Sequence, residues 1–230
     1  MVDTNSRKSG GSSAGTTGLF SLATAGALVT VLLWGGSSMA TKLGTGSMDG
    51  STLAVLRIVA AGPFAAMLIV VMRLRPPWHA GYRLHFAAIA IIGMALAPLL
   101  FTLGVQFTTA GHAVVASSST SIFTGLIEAA ARRQWPRLRW WVGIAVAFSG
   151  ALILIAETVG LSATDATWQG DLLVILAAFC GSTGFYLGSR MSMQYGAPAV
   201  TLWSVAVASV LLVPLLFALS SFAALSQLSV

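Results

Sequence analysis

Long apolar stretches, separated by short polar connections, run along nearly the whole chain. A helix that crosses a lipid bilayer needs about 20 mainly apolar residues, since each residue adds about 1.5 Å of length. Seven stretches approach or exceed that length: 18–41, 52–72, 86–107, 110–131, 140–157, 169–189 and 198–221. The polar, Gly- and Ser-rich residues 1–17 precede them and predict a disordered tail. The pattern predicts an all-α polytopic membrane protein with about seven transmembrane helices.

Composition excludes a water-soluble domain as the main part of this chain. Hydrophobic residues make up 57% of the 230 residues and charged residues 8%, and the mean hydropathy is +0.88. In a soluble domain about a quarter of the residues are charged, so we expect the lipid bilayer to surround this chain.

The single cysteine, Cys180, has no partner for a disulfide, and no Cys/His grouping predicts a metal site. The sequence has no phosphate-binding Gly-rich loop followed by Lys-Ser or Lys-Thr, so we expect that this chain does not hydrolyse ATP. We expect no cofactor.

The basic residues predict how the chain is oriented in the membrane. When the spans alternate, ten of the twelve Lys and Arg residues fall on one side: Arg7, Lys8, Arg73, Arg75, Arg83, Arg132, Arg133, Arg137, Arg139 and Arg190. The other side carries Lys42 together with the acidic residues Asp49, Glu157, Asp165 and Asp171. Because basic loops stay in the cytoplasm, we expect a protein of the plasma (inner) membrane with a cytoplasmic N-terminus. Topology therefore explains the positive charge, and nucleic acid is not an expected partner.

A weak internal repeat relates the two parts of the chain. Shifting the sequence by 146 residues places Gly35 on Gly181 and aligns the first two spans with the last two without a gap. Residues 18–157 then form a first unit of five helices, and residues 166–230 form the first two helices of a second unit. An odd number of helices inverts the second unit in the membrane, an arrangement that many secondary transporters share. The repeat predicts about three further helices beyond Val230, unless a homodimer completes the bundle.

Three segments resemble the EamA type of the drug/metabolite transporter superfamily. They are Leu33-Trp34-Gly35-Gly36-Ser37-Ser38 with Lys42 beyond it, Ser51-Thr52-Leu53-Ala54-Val55-Leu56-Arg57, and Gly143 to Ile153 with its ending Ser149-Gly150-Ala151-Leu152-Ile153. Together they span nearly the whole first unit. The resemblance implies about ten helices in two inverted halves and the transport of a small metabolite or drug-like solute.

Two positions depart from the usual EamA pattern. Ser121 stands where members usually have a proline in the fourth span, and Arg133-Gln134-Trp135 stands where they usually have Gly-Glu-Arg. The usual glutamate is absent, which puts in doubt any ion or proton coupling that depends on it. We expect a secondary transporter, driven by a gradient or by exchange, that works by alternating access around a polar cavity near mid-membrane.

The fourth span carries the strongest polar stripe. Ser117, Ser121, Thr124 and Glu128 recur at i, i+4, i+7 and i+11, which places them on one face of a helix. Such a face predicts a substrate pathway, since polar and ionisable groups inside a membrane rarely face lipid. The alternative is structural: the hydroxyl groups bond to other helices or to their own backbone, and Glu128 pairs with Arg132 at i+4.

Five further residues are candidates for the same pathway. Trp34 and Ser37 lie on one face of the first span, and Thr183 and Tyr186 lie in the sixth span at the depth that the repeat makes equivalent. Arg57 lies inside the second span. Its guanidinium has three possible roles: attraction of an anionic substrate or counterion, extension toward the membrane surface, or a structural pair.

The sequence opposes an enzyme. Gly181-Ser182-Thr183-Gly184 is similar to a serine-nucleophile motif, but such a serine needs a base, and all three histidines precede the sixth span. We therefore predict no catalytic residue. The Gly184-x-x-x-Gly188 spacing instead predicts close helix packing. A channel and a structural or accessory membrane protein are the alternatives to a transporter, whose expected partners are a small-molecule substrate and the bilayer.

Overall fold

The computed structural model describes residues 14–78, 80–162 and 167–228, with side chains for all of these except 14–23, 38, 80, 110, 151–152, 154–162 and 220–228. Seven helices fill this part of the chain: α1 (Ala14–Thr45), α2 (Gly50–Val71), α3 (Arg83–Gln106), α4 (Ala110–Arg132), α5 (Leu138–Ser162), α6 (Trp168–Tyr195) and α7 (Ala197–Leu228). A short 3-10 turn, Ala80–Tyr82, precedes α3. The ranges described contain no strand.

The helices confirm the all-α polytopic architecture predicted from the apolar stretches. Among the described residues, five helices are long and apolar enough to cross a membrane: α2, α3, α4, α6 and α7. α1 and α5 contain the first and fifth predicted spans, and both include residues whose side chains are not described. α1 already begins at Ala14, within the predicted tail, and residues 1–13 of that tail lie outside the described residues. The chain is an integral membrane protein built from helices.

The connections between helices gather at two opposite ends of the bundle. At one end, which we call the acidic end, Lys42 of α1 donates to the carbonyl of Thr108, which follows α3. At the other, the basic end, Gln194 of α6 donates to the hydroxyl of Tyr82, which precedes α3. Successive helices therefore run in opposite directions. Asp165, which the charge pattern also assigns to the acidic end, lies outside the described residues.

A buried core extends from end to end between α2, α3, α6 and α7, and α4 joins it near the acidic end. It consists of three clusters, which follow one another from the basic to the acidic end: Phe86, Ile89, Met191 and Val200; Ile58, Ala95 and Ala208; Val105, Ala113 and Val174. Small residues take part in two of the three clusters, which lets helix backbones approach each other where lipid offers no hydrophobic driving force.

α3 and α6 approach each other closely at a pair of glycines. A Cβ atom added to Gly93 would lie 2.9 Å from the Cα of Gly184, and one added to Gly184 would lie 2.6 Å from the Cα of Gly93. A side chain at either position would therefore strike the opposite backbone. Gly188, the second glycine of the predicted packing motif, has no atom within 4 Å of such a Cβ. Only Gly184 of that motif makes the close contact.

α3 contains a π-helical segment, Ile89–Leu96, between two α-helical segments. At its end the N–H of Ala97 donates to the carbonyl of Ile92, five residues earlier. Pro98 follows and has no N–H to donate. The carbonyl oxygen of Gly93 therefore lacks the main-chain donor that a regular helix would supply.

Candidate functional site

A cavity of about 940 Å³ lies between α1, α3, α4 and α6. Ligand pockets in proteins have volumes of about 300–1,000 Å³, so this cavity is large enough for a small-molecule ligand. Its polar lining side chains are Thr30, Ser37, Arg57, Ser117, Ser118, Thr120 and Ser121, and its large apolar ones are Leu33, Trp34, Phe101, Val114, Val174 and Phe185. These positions lie in the middle and in the acidic-end half of their helices.

Five of the nine candidate residues line this cavity: Trp34, Ser37, Arg57, Ser117 and Ser121. They come from three helices, and the sequence separates them by up to 87 positions, as from Trp34 to Ser121. Their placement on one surface is a geometric finding. Their role as a substrate pathway stays a prediction.

The wall from α4 is a surface of hydroxyl groups that mostly bond back to their own helix. Ser117 and Ser118 both donate to the carbonyl of Val114, at 2.8 and 3.0 Å, and Thr120 donates to the carbonyl of Ser117 at 2.6 Å. Their hydrogens are therefore occupied, which leaves oxygen lone pairs toward the cavity. Ser121 has no hydrogen-bond partner within the described part of the chain, so its hydroxyl can both donate and accept.

The wall from α6 is formed mainly by small side chains. Val174, Ala178, Gly181 and Phe185 recur at i, i+4, i+7 and i+11 and face the cavity. The Phe185 ring lies beside the indole of Trp34, with 6.1 Å between ring centroids. This pair joins α6 to α1 and forms an aromatic surface opposite the hydroxyl groups of α4.

Two candidates on α6 do not reach the cavity. Thr183 follows Val174 by nine residues, which is about half a turn out of phase at about 100° per residue. It bonds instead to the carbonyl of Phe179 at 3.1 Å. The hydroxyl of Tyr186 accepts a hydrogen bond from Arg190 at 3.1 Å. The repeat assigns these two residues a mid-helix depth, but depth does not determine which way a helical side chain points.

Two candidates on α4 lie beyond the cavity, toward the basic end. Thr124 is one turn past Ser121, the last lining residue of α4, and donates to the carbonyl of Thr120 at 2.7 Å. Glu128 lies a further turn away and pairs with Arg132, with 2.9 Å between the carboxylate oxygen and the guanidinium nitrogen. The structural alternative for Glu128 is therefore the arrangement observed.

Arg57 is held by hydroxyl groups from two other helices. One terminal nitrogen, Nη1, donates to Thr41 of α1 at 2.6 Å and to Thr102 of α3 at 3.2 Å. The other, Nη2, donates to Ser37 of α1 at 3.1 Å. Thr41 and Thr102 are almost fully buried, at 2% and 0% exposure. The guanidinium is thereby fixed at the acidic-end side of the cavity instead of extending toward the membrane surface.

Lys42 forms a second polar layer beyond Arg57. Its ammonium nitrogen donates to the carbonyls of Val105 at 3.1 Å and Thr108 at 2.6 Å, which lie in the last turn of α3 and just after it. Carbonyls at the end of a helix lack main-chain donors and carry partial negative charge, so a cation stabilises them. Lys42 thereby fastens the end of α1 to the end of α3.

Asp171 forms a third layer at the start of α6. Its carboxylate accepts a hydrogen bond of 2.5 Å from the hydroxyl of Thr108 and lies 3.1 Å from Nδ1 of His112. Nearby, the hydroxyl of Thr167 donates to the carbonyl of Phe107 at 2.7 Å. Together the three layers connect all the cavity-lining helices at the acidic end.

Sequence analysis missed several residues of the cavity and of its acidic-end layers. Phe101 and Phe185 are apolar, so no polar pattern marks them as cavity residues. Only the spacing of Phe185 from Val174, Ala178 and Gly181, at i, i+4, i+7 and i+11, could have indicated that Phe185 faces the cavity. The charge pattern places Asp171 at one side of the membrane, but nothing in the sequence predicts its contact with His112, from which it is separated by 59 residues.

The chain is similar to one family profile and to three proteins that are named as uncharacterized transporters. The profile of the EamA-like transporter family matches residues 21–156, which is more than half of the chain. An uncharacterized transporter of Archaeoglobus fulgidus is 26% identical over 193 residues, covering 84% of this chain and 65% of its own length. The uncharacterized transporters YdeK and YwfM of Bacillus subtilis are each 26% identical, covering 81% and 84% of this chain and 63% and 64% of their own lengths. The chain thus spans just under two thirds of the length of these relatives.

Proposed function

The chain belongs to the EamA-like transporter family, and we propose that it is a secondary transporter that moves a small solute by alternating access around the cavity between α1, α3, α4 and α6. The observation that carries this proposal is the cavity itself, halfway along the bundle and lined by hydroxyl groups, aromatic rings and one arginine. Secondary transporters bind their substrates near the middle of the membrane, where each side can reach the site in turn. The energy would come from a gradient or from exchange, since the sequence has no nucleotide-binding loop.

The three polar layers at the acidic end support a state closed toward that end. Arg57, at the acidic-end side of the cavity, joins three helices, and Lys42 and Asp171 each join two helices beyond it. Alternating access requires that such contacts break when the site opens to that side. The contact between Thr108 and Asp171 joins α6 to the α3–α4 connection through two side chains.

Locking that contact tests the proposal. We would place cysteines at Thr108 and Asp171 in a Cys180→Ala background and measure uptake of a panel of radiolabelled amino acids, organic acids, sugars and amines into proteoliposomes. Oxidation, or a short thiol cross-linker, should abolish saturable flux, and a reducing or cleaving agent should restore it. The two single-cysteine variants are the controls, because they lose the hydrogen bond without gaining a link. Full flux with the link closed would contradict alternating access through the acidic end, and flux that never saturates would favour a channel.

The proposed orientation has a separate test. We propose that the acidic end faces outward and the basic end faces the cytoplasm, because the Arg-rich connections lie at the basic end. In the same Cys180→Ala background, a cysteine at Ser47 should react with a membrane-impermeant maleimide from outside intact cells, and a cysteine at Gln134 only after permeabilisation. The reverse order would place the N-terminus outside.

A further inference from the structure

We propose that the cavity binds a small organic anion with one carboxylate group and an apolar body, and that Arg57 receives the carboxylate. This inference rests on the proposed transport function, since it names the class of solute that the transporter would carry. It starts from the observation that Arg57 is the one charged side chain among the described residues that line the cavity.

No carboxylate neutralises Arg57 within the described part of the chain. The two acidic side chains with ion pairs there are Glu128, which pairs with Arg132, and Asp171, which lies against His112. Arg57 contacts only hydroxyl groups, which are neutral and leave its positive charge uncompensated. Arg57 is exposed toward the cavity, and a charge within a membrane span is costly unless water or an opposite charge reaches it. A bound anion supplies that charge.

The hydroxyl groups around Arg57 are fixed as acceptors. Thr41 donates its hydrogen to the carbonyl of Ser37 at 2.7 Å, and Thr102 donates to the carbonyl of Pro98 at 2.9 Å. Each threonine oxygen can therefore only accept from the guanidinium, and together they hold Nη1 in place. The two threonine hydroxyl groups therefore fix the orientation of the guanidinium.

The guanidinium keeps two N–H groups for a ligand. Arginine has five N–H donors, and the three hydrogen bonds to Thr41, Thr102 and Ser37 use both hydrogens of Nη1 and one of Nη2. The N–H of Nε and one N–H of Nη2 have no partner in the described ranges. These two nitrogens form the edge of the guanidinium that binds both oxygens of a carboxylate side-on.

Three further groups of the cavity have a hydrogen that is free to donate. The hydroxyl of Ser37 accepts from Arg57, so its own hydrogen stays available. Ser121 and the indole N–H of Trp34 have no hydrogen-bond partner among the described residues. The hydroxyl groups of Ser117, Ser118 and Thr120 can only accept, but the single charge of the described lining is positive and no acidic side chain lies there, which favours an anion over a cation.

The rest of the lining defines the remainder of the ligand. One positive charge balances a monoanion, whereas a phosphate monoester carries close to two negative charges at neutral pH. Trp34, Phe101 and Phe185 provide an apolar, aromatic surface on the same cavity. The matching solute has one carboxylate at one end and an aliphatic or aromatic body at the other.

Binding can be measured without any transport assay. We would purify the protein in detergent and measure affinity for a panel of monocarboxylates, such as radiolabelled benzoate, phenylacetate and hexanoate. Each acid would be compared with its neutral amide, and phenyl phosphate would represent the dianion. At least one acid should bind at least tenfold more tightly than its amide and than phenyl phosphate. Equal affinity for acid and amide, or no binding by any acid, would overturn the proposal.

Substitution of Arg57 separates recognition from folding. Arg57→Gln should weaken carboxylate binding at least tenfold, and Arg57→Lys should weaken it less, since lysine keeps the charge but loses the two-pronged geometry. Folding should survive, because Thr41 and Thr102 keep their bonds to Ser37 and Pro98. Arg190→Gln removes an arginine that lies outside the cavity and serves as the matched control with unchanged binding. Unaltered carboxylate affinity in Arg57→Gln would refute the role of Arg57.

The outcomes distinguish this inference from the proposed function. Arg57-dependent carboxylate binding without saturable flux would preserve the inference and remove the transport proposal. Saturable flux of amines or sugars that is insensitive to Arg57→Gln would preserve transport and remove the inference.

Discussion

Gly93 in α3 and Gly184 in α6 face each other so closely that neither position has room for a side chain. We expect Gly184→Ala to destabilise the protein by roughly 1–3 kcal/mol, the usual cost of overpacking, because the obstructing atom belongs to backbone and cannot rotate away. Gly188→Ala, on the same helix and with open space around the new Cβ, is the matched control. The measurement is the fraction of protein that stays monodisperse after heating in detergent. Equal losses in both variants would contradict the packing role of Gly184.

Ser204 of α7 is fully buried, and its hydroxyl has no hydrogen-bond partner among the described residues. Ser204→Ala should therefore raise the free energy of unfolding by about 1 kcal/mol, since it removes an unsatisfied polar group. Ser209→Ala should lower the free energy of unfolding by about 0.6 kcal/mol, because the Ser209 hydroxyl of α7 donates a hydrogen bond of 3.0 Å to the carbonyl of Val59 in α2. Equilibrium unfolding in mixed micelles compares the two. A loss of stability in Ser204→Ala would mean that the Ser204 hydroxyl makes a stabilising hydrogen bond in the membrane protein.

Asp49 begins α2 and accepts hydrogen bonds from the hydroxyl of Ser51 and from the main-chain N–H groups of Ser51 and Thr52. The Ser51 hydroxyl, followed by these N–H groups, lowers the pKa of the Asp49 carboxyl below its ordinary value, although partial burial opposes the shift. A lowered pKa in the folded state means that the cap stabilises the protein above about pH 4 and that this contribution disappears as the pH falls through the lowered pKa.

Asp49→Ala should consequently cost about 0.5–2 kcal/mol at neutral pH, and this cost should decrease as the pH falls through the lowered pKa of the Asp49 carboxyl. Asp49→Asn keeps a good capping side chain, so it should retain most of the stability and lose the pH dependence. Thermal stability, followed in steps from pH 7 into the acid range in which the wild-type protein loses this contribution, tests both variants. A pH-independent loss in Asp49→Ala would show that the ionised carboxylate is not what stabilises the start of α2.

Glu128 and Arg132 form an exposed pair one turn apart on α4. Exposed pairs contribute about 0–1 kcal/mol, so Glu128→Gln and Arg132→Gln should each change stability by less than about 1 kcal/mol. We further expect the pH dependence of transport to be unchanged in Glu128→Gln, since the carboxylate lies outside the cavity. Parallel uptake measurements from pH 5 to 8 provide the check. Loss of proton dependence at normal expression would assign Glu128 a coupling role.

The sequence predicted the helices well because each apolar stretch must satisfy its own backbone hydrogen bonds in lipid, and only a helix does so alone. The site was harder, for two separate reasons. The stripe through Ser117 and Thr124 indicated the correct face of α4 but not the point where the cavity ends. The repeat indicated a suitable depth for Thr183 but not its face.

Arg57 shows a further limit of one-dimensional patterns. Its three hydrogen-bond partners are Ser37, Thr41 and Thr102. No sequence pattern around these residues predicts that they contact an arginine. Only the packing of α1 and α3 against α2 brings them together. The sequence could indicate the possible roles of this arginine but could not choose among them.

The π-helical segment Ile89–Leu96 has a consequence for how α3 tolerates changes in length. Each π turn takes up about one residue more than an α turn, so the segment holds surplus chain within an otherwise regular span. If one residue is deleted there, the segment can change from π-helical to α-helical geometry and so make up for the missing residue. Phe101 and Thr102 would then keep their orientations. A deletion at the same depth in α4 has no such surplus to consume and would rotate Ser117 and its neighbours by about 100° away from the cavity. The two lining helices therefore differ in their tolerance of indels, and sequence alignments across α3 should contain a gap that those across α4 cannot.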